Sequence, residues 1–415
     1  MTEAALERGR TEQRVLALVT LALVAFGLVM VFSATSASAA LGNADPMTYL
    51  VKQSMYAVAG IVLLVAMSRL DYHRLRRLAP GLLVAALGLC AAALVIAPAV
   101  NGARRWFVVG PVSVQPSEMA KLALCVWVCA RLAYRPAPRT LGQLIKPIGL
   151  VTGLFCGTII LEPDLGTTIA IVLMVGGVLL VSGVPTRLLV LATTLALGLG
   201  AAAIWAEPYR RARFFSFLNP TADPQGAGYQ INQAMIGVGS GGIPGVGLGH
   251  GAQSSFYTPE AHTDMIAATI GEELGLIGLT LLVAAFVVLA WAGFRVALGC
   301  RDPFGKRLAA GITTLICGQA VINLAAVLGI APLTGIPLPF ISYGGSSLIV
   351  LLTGVGVLLN IAVNGRVVEG RVRDRSRGDG RSRQAGARRR GGPARTRRDR
   401  DVRRVPGSRR VAAGS

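Results

Sequence analysis

VLALVTLALVAFGLVMVFS, residues 15–33, decides the fold class. It runs nineteen residues without a charge, and about 20 apolar residues in a helix cross the hydrocarbon core of a bilayer. No small-residue cleavage site leading into a soluble domain follows it, so it reads as a membrane span and not as a cleaved leader. Composition extends the conclusion to the chain. The 415 residues are 53% hydrophobic and 15% charged, with a mean hydropathy of +0.60. Soluble domains carry about a quarter charged residues, so a soluble enzyme, a disordered chain and a disulfide scaffold are all excluded. Low aromatic content and 51 Gly favour packed helices over a β-barrel.

Working outward, apolar windows predict ten spans, near 15–34, 50–68, 79–99, 117–134, 144–161, 166–183, 187–205, 266–294, 308–330 and 343–364. The expected fold is therefore an all-α polytopic membrane protein of about ten transmembrane helices. It has a large extracellular loop, 206–264, between the seventh and the eighth. An even number of spans puts both termini on one side. With the N-terminal residues 1–14 in the cytoplasm, inner segments and tail carry 34 Lys and Arg, against seven near the outer face: Lys52, Arg104, Arg105, Lys121, Arg210, Arg211 and Arg213. The positive-inside rule then orients the chain.

Net charge is +21, and 18 Arg against five acids place +13 of it in residues 366–415. That segment has almost no apolar content, so a disordered, Arg-rich cytoplasmic tail is expected. Attraction to anionic lipid or to an acidic partner accounts for such a tail more simply than RNA binding does. The ten Gly between Gly226 and Gly251 suggest a nucleotide loop, but no strand precedes them and no GK[ST] is present. A compact re-entrant or surface-lying loop with closely packed backbones is expected instead. Cys125 and Cys129 share a helix face without a nearby His or third Cys and read as packing residues, not a zinc site. His73, His250 and His262 form no metal constellation.

Ionisable groups at membrane depth are costly, and those kept are usually paired or functional. Here they gather toward the outer side. Glu118 and Lys121 sit in QPSEMAK (115–121) at i, i+3 spacing; Glu162 and Asp164 sit in LEPDLGT (161–167); Asp264, Glu272 and Glu273 enter the eighth span; Ser342, Ser346 and Ser347 stand at the top of the tenth. A water-filled outer cavity lined by both signs is the simplest expectation. Plainer readings exist: a helix-end ion pair for Glu118 and Lys121, and capping acids at Glu162, Asp164 and Asp264.

The motifs NGARRWF (101–107), QPSEMAK, LEPDLGT, Gly228-Tyr229-Gln230 with Gln233, PEAHTD (259–264) with GEELG (271–275), and PLPFISYGGSS (337–347) occur in chain order over about residues 15–365. In these the chain resembles the SEDS family of shape, elongation, division and sporulation proteins. GLVMVFS (27–33) and the PEAHTD/GEELG pair are more similar to its division members than to its elongation members, and the long Arg tail resembles actinobacterial ones. The chain departs from the family pattern at Met265 and at Ala331-Pro332-Leu333-Thr334-Gly335, where no charged group changes.

The resemblance implies a peptidoglycan glycosyltransferase that polymerises lipid II into glycan strands on the outer face of the cytoplasmic membrane, at the division septum. It implies a class B penicillin-binding protein and other divisome proteins as partners, Asp264 as the catalytic base, and no nucleic acid. Substrate contacts are expected from Arg104, Arg105, Trp106, Glu118, Lys121, Asp164, Arg213, Gln230, Gln233, His262, Glu272, Ser342, Ser346 and Ser347. The residues suit the chemistry independently. Pyrophosphate is a good leaving group, so the reaction needs positive charge and one base and not two carboxylates. Mg²⁺ or another divalent cation held by the acids would assist. The competing reading is a lipid II flippase or a secondary transporter. Against it, the ionisable groups cluster at the outer leaflet and the inner halves of the spans are almost uncharged.

Overall fold

The computed structural model describes residues 3–40, 46–99, 103–110, 112–226, 228–251 and 261–365. Each of the ten apolar windows becomes helix. In chain order these are α1 (Glu3–Ala40), α2 (Pro46–Arg69), α3 (His73–Ile96) and α4 (Pro116–Ala133). Next come α5 (Leu141–Leu144) and α6 (Leu150–Leu161), joined through a turn of π-helix at Ile145–Gly149, then α7 (Leu165–Val181) and α8 (Thr186–Ala206). Two shorter helices follow, α9 (Pro208–Leu218) and α10 (Tyr229–Gly241), before α11 (Ile266–Gly299), α12 (Pro303–Val327) and α13 (Gly345–Asn364). Eight helical stretches are long and apolar enough to span by length and composition. The two windows outside that set have plain reasons. α4 carries Glu118, Lys121 and Arg131, and α7 is 17 residues long.

α12 and α13 form the buried centre, with α2 laid along α13 and α11 along α12. Without a hydrophobic drive between helices in lipid, close approach depends on small residues. At Gly356 a Cβ would lie 2.5 Å from the Leu64 carbonyl oxygen, so this glycine sets how near α2 and α13 come. α8 lies almost wholly on the outside of the bundle.

The 206–264 segment is more structured than a loop. It holds α9, which carries three partly buried Arg among its aromatic residues, and α10, which packs on α11. The glycine-rich stretch after α10 packs backbone to backbone into a kink of α11. Gly275 sits there at φ +64 and opens the helix. Leu276 and Ile277 then donate to Gly242 and Ile243 carbonyls at 2.9 and 3.2 Å, while Val246 and Gly247 donate to Glu272 and Glu273 at 3.0 Å each. A Cβ at Gly245, itself at φ +84, would fall 2.1 Å from the Glu273 carbonyl oxygen. This is the close-packed arrangement expected of the glycines, with no resemblance to a phosphate cradle. A two-stranded antiparallel hairpin, β1 (Phe107–Val109) with β2 (Val112–Val114), precedes α4 and was not foreseen from the apolar pattern. The Arg-rich tail from Arg366, like Asn101, Gly102, Pro259 and Glu260 of the motifs, lies outside the described residues.

Candidate active site

α11 begins at Ile266, and its N-cap residue is Met265, which supplies no side-chain capping bond. Asp264 stands one position further out, in the turn 261–265, partly exposed. The turn is held from three directions. Asn323 of α12 donates its amide to the Asp264 carbonyl at 2.7 Å and to the Ile336 carbonyl at 2.8 Å. Tyr343 donates its backbone N–H to the His262 carbonyl at 2.9 Å. The rings of Tyr49, His262 and Tyr343 pack mutually, with centroids 4.9–5.6 Å apart. The backbone at Asp264 is thus fixed by α12 and by the loop before α13. Its carboxylate accepts from the Thr263 hydroxyl at 3.2 Å.

A second node forms at LEPDLGT. Asp164 caps α7: its carboxylate accepts from Thr167 N–H at 2.9 Å, from the Thr167 hydroxyl at 2.8 Å and from the Gln115 amide at 3.2 Å. The Gln115 N–H donates to Ser346 Oγ at 2.9 Å, and Ser346 donates to the Ser113 carbonyl at 3.0 Å. One chain of bonds so ties the starts of α4, α7 and α13 together. Arg105 donates to the Glu162 and Pro163 carbonyls, the latter at 2.6 Å, and Arg210 to the Ile160 carbonyl at 2.6 Å. Both guanidiniums complement the C-terminal end of α6, where carbonyls lack helical donors. The Glu162 carboxyl, in the turn between two spans, is fully buried. Burial first and the Asp164 carboxylate second push it up to about 8, against the opposing pull of Arg105.

The nodes meet through the 331–344 loop. At Gly166, two residues past Asp164, a Cβ would lie 2.7 Å from the Thr334 carbonyl oxygen, and at Gly335 a Cβ would lie 3.9 Å from Asp264 Oδ2. Below them, inside α4, Lys121 Nζ and Glu118 Oε1 form a buried ion pair at 2.7 Å. Glu272 is buried in α11 beside Glu273, whose carboxylate accepts from Ser33 at 2.7 Å.

Other expected site residues are placed differently. Ser342 is spent within its own loop, its Oγ accepting from Leu338 N–H at 2.7 Å. Ser347 lies buried in the first turn of α13, Trp106 is partly buried beside the hairpin, and Gln230 and Gln233 are partly buried on α10. Arg104 is exposed and donates to the Val95 carbonyl at 2.9 Å, and Arg213 lies over the Tyr209 ring at 5.0 Å. Arg105 is engaged with the backbone carbonyls that end α6, and Ser342 with its own turn. Among the described residues, no group of three His, Cys, Asp or Glu could hold a metal ion.

Reading the sequence for charge missed Asn323, Tyr49, Tyr343, Gln115 and Gln53, which donates to the Ser342 carbonyl at 3.2 Å. The signal was present: uncharged polar side chains inside apolar runs carry a desolvation cost and need partners.

Comparisons with known proteins agree with this architecture. Residues 13–367 match a family model described as "Cell cycle protein". A Geobacter metallireducens chain named "Probable peptidoglycan glycosyltransferase FtsW" is 39% identical over 355 residues, 84% of this chain and 94% of that one. "Stage V sporulation protein E" of Bacillus subtilis is 38% identical over 353 residues, 84% and 96% of the two. Among solved structures, a chain from work on "structural coordination of polymerization and crosslinking by a peptidoglycan synthase complex" superposes with a TM-score of 0.71 at 32% identity. It covers 84% of this chain and 97% of that chain. The rod shape determining protein RodA of Thermus thermophilus gives 0.63 at 31% identity, covering 84% and 96%.

Proposed function

The chain belongs to the family of FtsW, RodA and SpoVE, the shape, elongation, division and sporulation proteins, and we propose that it is the peptidoglycan glycosyltransferase of cell division. Its substrate is lipid II, polymerised into glycan strands on the outer face of the cytoplasmic membrane at the septum, with both chain termini inside. The observation that carries the chemistry is the Asp264 turn: backbone fixed by Asn323 and Tyr343, with Asp264 partly exposed beside His262 and Thr263.

In the step proposed, a hydroxyl of the acceptor sugar loses its proton to the Asp264 carboxylate. Its oxygen bonds to the anomeric carbon of the donor as the bond from that carbon to the lipid pyrophosphate breaks. The pyrophosphate leaves with the electron pair and needs no general acid. Cationic side chains stabilise its charge as it develops. Arg104, Arg105 and Arg213, none of them in an ion pair among the described residues, are the proposed source of that charge. Lys121 acts from within its pair with Glu118. A class B penicillin-binding protein is the proposed partner, supported by a structural relative drawn from a complex of polymerization and crosslinking.

Reconstitution tests the reading. The purified chain, with a class B penicillin-binding protein, is incubated with lipid II in vesicles. Glycan strands are expected. Movement of lipid II across the bilayer without strands would replace the transferase by a flippase.

A further inference from the structure

Beneath the Asp264 turn the bundle holds polar atoms that the fold leaves unused. Ser117 Oγ, Glu118 Oε2, both side-chain amide atoms of Gln319 and Asn323 Oδ1 are buried without a hydrogen-bond partner among the described residues. Gln319 is 0% exposed, and Glu118 and Asn323 are each 2% exposed. Buried polar groups are normally satisfied, and where protein groups do not serve, ordered water does.

Helix register gathers these atoms into one layer. At Gly311 a Cβ would come 2.6 Å from Cys125 Sγ, and at Gly354 it would come 3.2 Å from Ile312 Cγ2 and 3.9 Å from Leu122 Cδ1. Helices α4, α12 and α13 therefore meet at that level. Seven residues is two helical turns, about 10 Å, and returns to the same face. Stepping seven residues toward the site end takes Cys125 to Glu118, Ile312 to Gln319 and Gly354 to Ser347. Each helix thus presents a polar side chain at the same depth. One turn beyond Gln319 stands Asn323, whose amide nitrogen already holds the Asp264 carbonyl.

The kind of occupant follows from the donors. Gln319 has an unpartnered N–H₂ as well as an unpartnered carbonyl, and a cation would satisfy the oxygens while being repelled by the amide hydrogens. Water both donates and accepts. We propose that Gln319 is a positioning residue of the transferase. With Asn323 and Ser347 it holds a layer of ordered water against the second carboxylate oxygen of Glu118. That layer fixes the Glu118–Lys121 pair relative to the Asp264 turn. Lys121 is fully buried and bound to Glu118, so where its charge acts is set by where Glu118 is held. The inference rests on the glycosyltransferase reading above.

Gln319→Leu keeps much of the volume and removes both polar atoms. Its kcat for glycan synthesis is expected to fall about tenfold or more, as when a hydrogen bond to a charged group is lost. The KM for lipid II should change little. Gln319→Asn should recover most of the rate, since one more water spans the shorter reach. A wild-type rate in Gln319→Leu overturns the proposal. So does a rate loss in Gln319→Leu that Gln319→Asn does not recover, which a packing defect would give. If the Leu variant does not insert, the Asn variant decides: most of the rate retained supports water, and its loss refutes it. A high-resolution map of the wild-type chain with water bridging Gln319 and Glu118 supports the layer directly, and a dry amide there refutes it. A wild-type chain that makes no strands in the same assay sinks the transferase reading itself, separately from Gln319.

Discussion

Asp264 and Asp302 each stand just before a long helix, at opposite ends of the α11–α12 pair, and they are used in opposite ways. Asp302 is the N-cap of α12. Its carboxylate accepts from Gly305 N–H at 2.7 Å and the Tyr72 hydroxyl at 3.2 Å, and it faces His73 Nε2 at 3.6 Å. Around it Tyr72 N–H donates to Asn360, and the Asn360 amide donates to the Ser68 carbonyl at 2.7 Å. That end is a clasp, with its polar atoms spent on the fold. At the Asp264 end the neighbouring elements hold the backbone, and the residue is partly exposed. An aspartate that caps invests its oxygens in a helix, whereas Asp264 stands outside the cap position of α11 and is held by its carbonyl.

The largest contrast should appear in rates. Asp264→Ala is expected to lower glycan synthesis by roughly 10²–10⁴-fold, the usual cost of a lost general base. Asp302→Ala should leave the turnover of the folded enzyme unchanged in the same strand-synthesis assay. Next in size, Asn323→Leu frees the Asp264 and Ile336 carbonyls and should slow synthesis about tenfold, because two buried acceptors lose their donor. The clasp should show its effect in stability. Asp302→Ala is expected to cost about 1 kcal/mol, read as a lower melting temperature in detergent, as for other lost N-caps.

Glu162 sharpens the comparison through pH. Its folded carboxyl is raised from 4.5 to about 8, so its contribution to stability is complete below the lower value and lost as pH rises through the upper one. Wild-type melting temperature should therefore fall between about pH 4.5 and pH 8, and the slope should flatten in Glu162→Gln. A slope unchanged by the substitution would remove Glu162 as its source. Smallest of all, truncation after Gly365 should leave melting and polymerisation by the purified chain unaltered. Loss of polymer there would make the Arg-rich segment part of the enzyme.

Much of this was legible in the sequence, and the residues show why. Apolar runs of about 20 residues admit few alternatives in a membrane, so all ten windows became helix. Charges isolated among them pointed to Asp264, Asp164 and the Glu118–Lys121 pair. The hairpin at 107–114 and helices α9 and α10 escaped because short elements near a membrane surface leave no long apolar period. Asn323 and Gln319 escaped because an uncharged amide barely disturbs the hydropathy of α12. Arg105 carried a charge that suggested substrate, yet its partners are the carbonyls at the end of α6, a demand visible once the helix boundary is known.

Asp264→Asn tests the central claim most directly, measured for strands from lipid II and for melting temperature on the same purified sample. Asn caps helices about as well as Asp and preserves size, so a structural aspartate would tolerate the change in both readouts. The account predicts an unchanged melting temperature, retained partner binding and no detectable glycan polymer. Strand synthesis at near the wild-type rate would contradict it.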